Sequence, residues 1–111
     1  MDPFTVTRWP ADAGQVTINK IRARLELEGL SPSRFDMIPG DSYPDHSHSE
    51  AEIRWVTSGK MRVVIGNEEI ILGPGDRLDL GPNIVHSADI AGDEVVVTVC
   101  ASRQAYPIRS C

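Results

Sequence analysis

The chain has 111 residues, 41% of them hydrophobic and 24% charged, and a formal net charge of −5. That length supports one core and therefore one domain, and the scattered Lys and Arg residues form no basic face of the kind that nucleic-acid binding requires. The longest apolar run, Val95 to Ala101, is broken by Thr98 and is far too short to cross a bilayer. No charged-then-apolar leader opens the chain, so a cytoplasmic protein is expected. Two cysteines make no disulfide framework: Cys100 reads as a small buried hydrophobe and Cys111 as a frayed end.

In chain order, Asp2 to Thr5 reads as a vector remnant, which makes Val6 the first natural residue. A short helix follows within the N-terminal segment 1–33. Thr17 is its N-cap, Ile18, Ile21 and Leu25 recur at helical spacing, and Gly29 is the stop; a short edge strand from Val16 is the competing assignment. After Pro32 the pattern changes to short apolar or alternating runs separated by Gly and Pro. These are Arg34 to Ile38, Ile53 to Thr57, Met61 to Ile65, Glu69 to Leu72, Arg77 to Leu80, Val85 to Ile90 and Glu94 to Ala101. Such punctuation predicts an all-β sandwich or barrel, antiparallel, over residues 34–111. Gly66 and Asn67 suit a tight hairpin, since both tolerate positive φ.

Two of the three histidines fall in one short stretch, "HSHSEAE" at residues 46–52. In a continuous strand, alternate side chains share a face, so His46, His48, Glu50, Glu52, Arg54 and Val56 would project together. Two imidazoles and a carboxylate suit Fe, Mn, Ni, Zn or Cu. The third histidine, His86, lies on a later predicted strand that can face the first across a barrel interior. Glu50 reads as a rim carboxylate.

These residues resemble the cupin superfamily. Gly40, five residues, His46-x-His48, three residues, Glu52, six residues and Gly59 reproduce the first cupin motif at each fixed position. Gly75-Asp76 and His86 follow the second motif, which here departs at Gly81-Pro82-Asn83 and at Ile90. The resemblance covers residues 34–102 and implies a double-stranded jelly roll with His46, His48, Glu52 and His86 as metal ligands. The string "HSHSEAEIRWV" is also similar, locally, to the metal segment of acireductone dioxygenases, where an Arg and an aromatic likewise follow the ligand Glu.

Two functions are compatible with that resemblance. One is a metal-dependent enzyme, dioxygenase-like, on a small organic acid or enediol-like substrate; the other is a non-catalytic module that binds a metal or small ligand. Apart from Arg54, the inward positions Val56, Ile84 and Ala88 are apolar. Arg54 needs a partner if it enters the interior: either a structural carboxylate such as Glu50 or Asp79, or an anionic ligand clamped by its planar fork. Trp55, of opposite parity, is expected under the helix or in an interface. The final run is apolar on both faces, which calls for cover from the helix or from a second subunit; the resemblance to small cupins, which commonly pair through sheet surfaces, implies a homodimer.

Overall fold

Nine strands and one α-helix are formed within residues 3–103, the part of the chain that the computed structural model describes. Strand β1 is Phe4–Arg8, and a single 3-10 turn at Ala11–Ala13 leads to helix α1, Ile18–Leu27. The strands that follow are β2 (Ser33–Met37), β3 (Ser42–His46), β4 (Ala51–Ser58) and β5 (Met61–Ile65). The last four are β6 (Glu68–Leu72), β7 (Asp76–Leu80), β8 (His86–Ile90) and β9 (Val96–Arg103). They form two antiparallel sheets, one of five strands in the order β1-β7-β4-β9-β2 and one of four in the order β3-β8-β5-β6. The arrangement fits the expected jelly roll.

The helix begins as its sequence requires. The Thr17 side chain accepts a hydrogen bond from Lys20 N at 3.2 Å, which satisfies one of the free N–H groups of the first turn. The competing edge strand at Val16 does not form. Ile21 and Leu25, one turn apart, are fully buried and pack with Ile53, Trp55, Val99 and Ala101 on the outer face of the five-stranded sheet. Trp55 therefore lies under the N-terminal segment, edge-on to Trp9 with ring centroids 5.6 Å apart. Val99 and Ala101 are likewise covered from within the chain, so the two-faced apolarity of β9 needs no second subunit to explain it.

The other core lies between the sheets. Met37, Val56, Met61, Val63, Leu78 and Ala88 belong to it, with Ile84 packed against them; Val56, Ile84 and Ala88 thus face inward as expected. Gly59 makes the turn after β4 possible. Its φ is 78°, and a Cβ there would stand 2.5 Å from the Val95 carbonyl oxygen, so only glycine fits.

Three features depart from the sequence reading. Strand β1 is not among the predicted runs; its Phe4 pairs with Leu80 and packs against the inter-sheet core. Asp2 lies outside the described residues. Strand β3 was not foreseen, because it is an edge strand that contains Pro44 and exposes four of its five residues. Cys100 is fully buried, as a small apolar side chain would be, but it is disulfide-bonded rather than a free thiol. Cys111 lies outside the described residues.

Candidate metal centre

Residues 46–56 are not one strand, which corrects the single-face reading of this segment. Strand β3 ends at His46, a loop spans 47–50, and β4 begins at Ala51. The histidines converge by other means. Tyr43 pairs with Ala88 and His46 with His86, so three steps along β3 match two along β8. That extra residue is a bulge, and bulges re-aim side chains. Without it Asp45 would stand opposite His86; with it, His46 does. The His46 and His86 ring centroids are 4.3 Å apart.

His48 is carried by the loop. The backbone N–H of Asn83 donates to the His48 carbonyl at 2.6 Å, so the turn between β7 and β8 holds the loop. The His48 ring lies 4.9 Å from that of His46 and 5.5 Å from that of His86. All three imidazoles offer a nitrogen within 4.8 Å of the others.

The protonation pattern suits ligation. His46 Nδ1 is 2.8 Å from the Pro44 carbonyl oxygen, and His86 Nδ1 is 2.9 Å from that of Ile84. A carbonyl only accepts, so each Nδ1 carries a proton and the neutral ring has its lone pair on Nε2, the arrangement in which carbonyls orient metal-bound histidines. His48 Nε2 is buried and makes no hydrogen bond among the described residues. Its nearest charged group is Glu52 Oε1 at 3.4 Å. An orphaned buried nitrogen is costly, and a cation among these donors would satisfy it. Burial holds the His86 imidazole below the ordinary histidine value, against the upward pull of the Ile84 carbonyl and the Glu52 carboxylate. His86 is therefore neutral at pH 7, the form that ligates.

Glu52 and Arg54 come from alternate positions of β4 and are both 5% exposed. Glu52 stands beside the histidine group, with Oε1 toward His48 and Oε2 3.4 Å from Arg54 Nε. Arg54 Nη1 donates to Thr98 Oγ1 at 3.0 Å, and Thr98 Oγ1 donates on to the Phe35 carbonyl at 2.7 Å. The guanidinium carbon lies 5.3 Å from the Phe35 ring centroid. The carboxylate that pairs with Arg54 is thus Glu52 rather than Glu50 or Asp79. Asp79 pairs with Arg77, and Glu50 bonds to Ser49 in the loop. The sequence reading missed Thr98 as an anchor, since a threonine in an apolar run carries no signal of what it bonds.

A cavity of about 40 Å³ adjoins these groups. Tyr43, His46, Glu52, Arg54 and His86 contribute its polar groups; Met37, Met61, Val63 and Leu78 are among its apolar walls.

The cupin domain family matches residues 33–102, and the chain belongs to that family. No curated protein sequence matches it. Among solved structures it is similar to the acireductone dioxygenase of Bacillus anthracis with a cadmium ion in its active centre, at 17% identity and a TM-score of 0.68 over 96% of this chain and 83% of that one. A cupin-like protein of Thermotoga maritima matches at 27% identity and a TM-score of 0.62, covering 92% of this chain and 72% of that one. The DMSP lyase DddQ of Ruegeria pomeroyi matches at 23% identity and a TM-score of 0.63, over 72% of this chain. The matched region spans only 41% of that lyase. Likeness at 17% and 23% identity shows a shared fold. Among the described residues no helix is long and apolar enough to cross a membrane.

Proposed function

We propose that His46, His48, Glu52 and His86 hold one divalent transition-metal ion and that the protein is a metal-dependent enzyme, dioxygenase-like, acting on a small organic acid or enediol-like compound. The buried, unbonded Nε2 of His48 is the observation that carries this reading. When bound, an ion at three nitrogens and one carboxylate oxygen supplies Lewis acidity and, for iron or nickel, a site for dioxygen. The chain's own residues orient the imidazoles through Pro44 and Ile84 and keep one wall of the cavity charged through Arg54. The acireductone dioxygenase and DMSP lyase likenesses are compatible with such chemistry, although the fold alone hosts many reactions.

The apolar walls favour a second reading, a non-catalytic module that binds a metal or small ligand. Elemental analysis of protein purified without a chelating resin tests the centre common to both. About one ion per chain is expected in the wild type, and roughly tenfold less or none in His48→Ala and His86→Ala. Equal metal content in all three proteins would refute the centre.

A further inference from the structure

Arg54 points to an anion site that Glu52 masks, an inference that rests on the metal centre proposed above. Its guanidinium is nearly buried and spends its donors unevenly. Nε makes a long 3.4 Å contact with Glu52 Oε2, and Nη1 is held by the neutral Thr98 hydroxyl. Among the described residues Nη2 donates to nothing, and Arg54 lines the cavity. Among the described residues, Glu52 and Arg54 are the only carboxylate and guanidinium lining that cavity.

The charges of Glu52 and Arg54 cancel while the carboxylate faces the guanidinium. A divalent cation beside His48 attracts the same carboxylate, because Glu52 Oε1 already lies 3.4 Å from His48 Nε2. Glu52 cannot neutralise both. Cation and guanidinium together then leave excess positive charge beside two nearly buried side chains, which is unfavourable until an anion enters. The forked guanidinium suits a carboxylate. The volume of about 40 Å³ holds about three waters, which limits the ligand to two or three carbons. Arg54 is the one guanidinium among the described lining residues, and Met37, Met61, Val63 and Leu78 on the apolar side offer nothing to a second carboxylate.

We propose that the cavity binds a short monocarboxylate of two or three carbons through Arg54, and that binding becomes favourable when a metal draws Glu52 away. The experiment is calorimetric titration with acetate, pyruvate, hexanoate and succinate at fixed ionic strength. The proteins are stripped wild type, zinc-loaded wild type, zinc-loaded Arg54→Met and stripped Glu52→Gln. Zinc-loaded wild type is expected to bind acetate and pyruvate about tenfold or more tightly than the stripped protein does, and to bind hexanoate and succinate weakly. Arg54→Met should keep its zinc and lose the binding. Stripped Glu52→Gln should bind acetate without any metal, because a neutral amide no longer masks the guanidinium.

Acetate binding that is equal in Arg54→Met and wild type would overturn the proposal, as would hexanoate binding as tightly as acetate. If the wild type takes up no zinc, the metal reading fails separately. Stripped Glu52→Gln then decides the Arg54 site: acetate binding upholds it and no binding overturns it. Should Glu52→Gln not fold, acetate must raise the melting temperature of zinc-loaded wild type and leave that of the stripped protein unchanged; any other pattern overturns the proposal.

Discussion

Replacing Thr98 by Val tests whether one hydroxyl fixes the charged wall of the site. Thr98 is fully buried, accepts from Arg54 Nη1 at 3.0 Å and donates to the Phe35 carbonyl at 2.7 Å. Valine has the same shape and neither function. Losing a hydrogen bond to a charged group costs about 1.5–3 kcal/mol, and losing a neutral one costs about 1 kcal/mol. The added methyl returns about 0.8 kcal/mol through burial. The net is a destabilisation of about 2–3 kcal/mol, which for a domain of this size lowers the melting temperature by roughly 10–20 °C. Thr98→Ser keeps both bonds and should fall by much less, with only the methyl lost. Circular-dichroism melts of the three proteins measure this. A Val variant that melts with the wild type, or a Ser variant as unstable as the Val variant, would show that Arg54 is positioned by something other than Thr98.

Gly59→Ala should destabilise by about 2 kcal/mol or more, because the new Cβ meets backbone at 2.5 Å in a left-handed conformation; Gly66→Ala, with φ of 60° and nothing within 4 Å, should lose only about 1–2 kcal/mol, and urea titration of both checks the contrast. The pH dependence of stability should show the Glu28–Arg77 pair, which ties the residue after α1 to β7 at 2.7 Å. The Arg77 guanidinium bonded to Glu28 holds that carboxyl below its usual 4.5. The folded state thus binds its proton less readily than the unfolded chain, so the contribution is complete above that value and is lost as the pH falls below it. Arg77→Met should be less stable than wild type near neutrality, and the difference should shrink on acidification below about pH 4.5; a difference independent of pH would mean that Arg77 acts through its stacking on Trp55 instead.

The parts of this molecule that were legible in the sequence are those that obey a single local rule. Helix α1 has its cap at Thr17 and its apolar spacing at Ile21 and Leu25, and β5 is a short apolar run, Met61 to Ile65, ended by Gly66. Within β4 the parity argument also holds, since Glu52, Arg54 and Val56 turn inward while Ile53 and Trp55 turn to the helix. It fails across 46–56, because alternation says nothing about where a strand stops. Strands β1 and β3 were illegible for a related reason. Edge strands such as Phe4–Arg8 and Ser42–His46 bury almost nothing, so selection for pairing leaves no apolar period to read. The partner of Arg54 was sought among carboxylates in general, whereas the nearest one is Glu52, the residue already assigned to a metal.

The departure of the second motif from the family pattern acquires a physical meaning in this geometry. Gly81-Pro82-Asn83 stands where the motif has a different turn, and Asn83 adopts a φ of 61°, a conformation that Asn tolerates better than most side chains. In that conformation its N–H reaches the His48 carbonyl, across the gap between the β7–β8 turn and the loop after β3. His48 belongs to no strand, so nothing in a ladder fixes it. The bond from Asn83 supplies what the ladder supplies for His46 and His86. The same turn also leads into Ile84, whose carbonyl orients His86 through Nδ1. One irregular turn therefore governs two of the three imidazoles, and the sequence can diverge there only while it keeps a backbone N–H and a backbone carbonyl in these places. The ligand residues are conspicuous in the sequence; the backbone groups that aim them depend on φ and on register, and neither is written in side-chain identity.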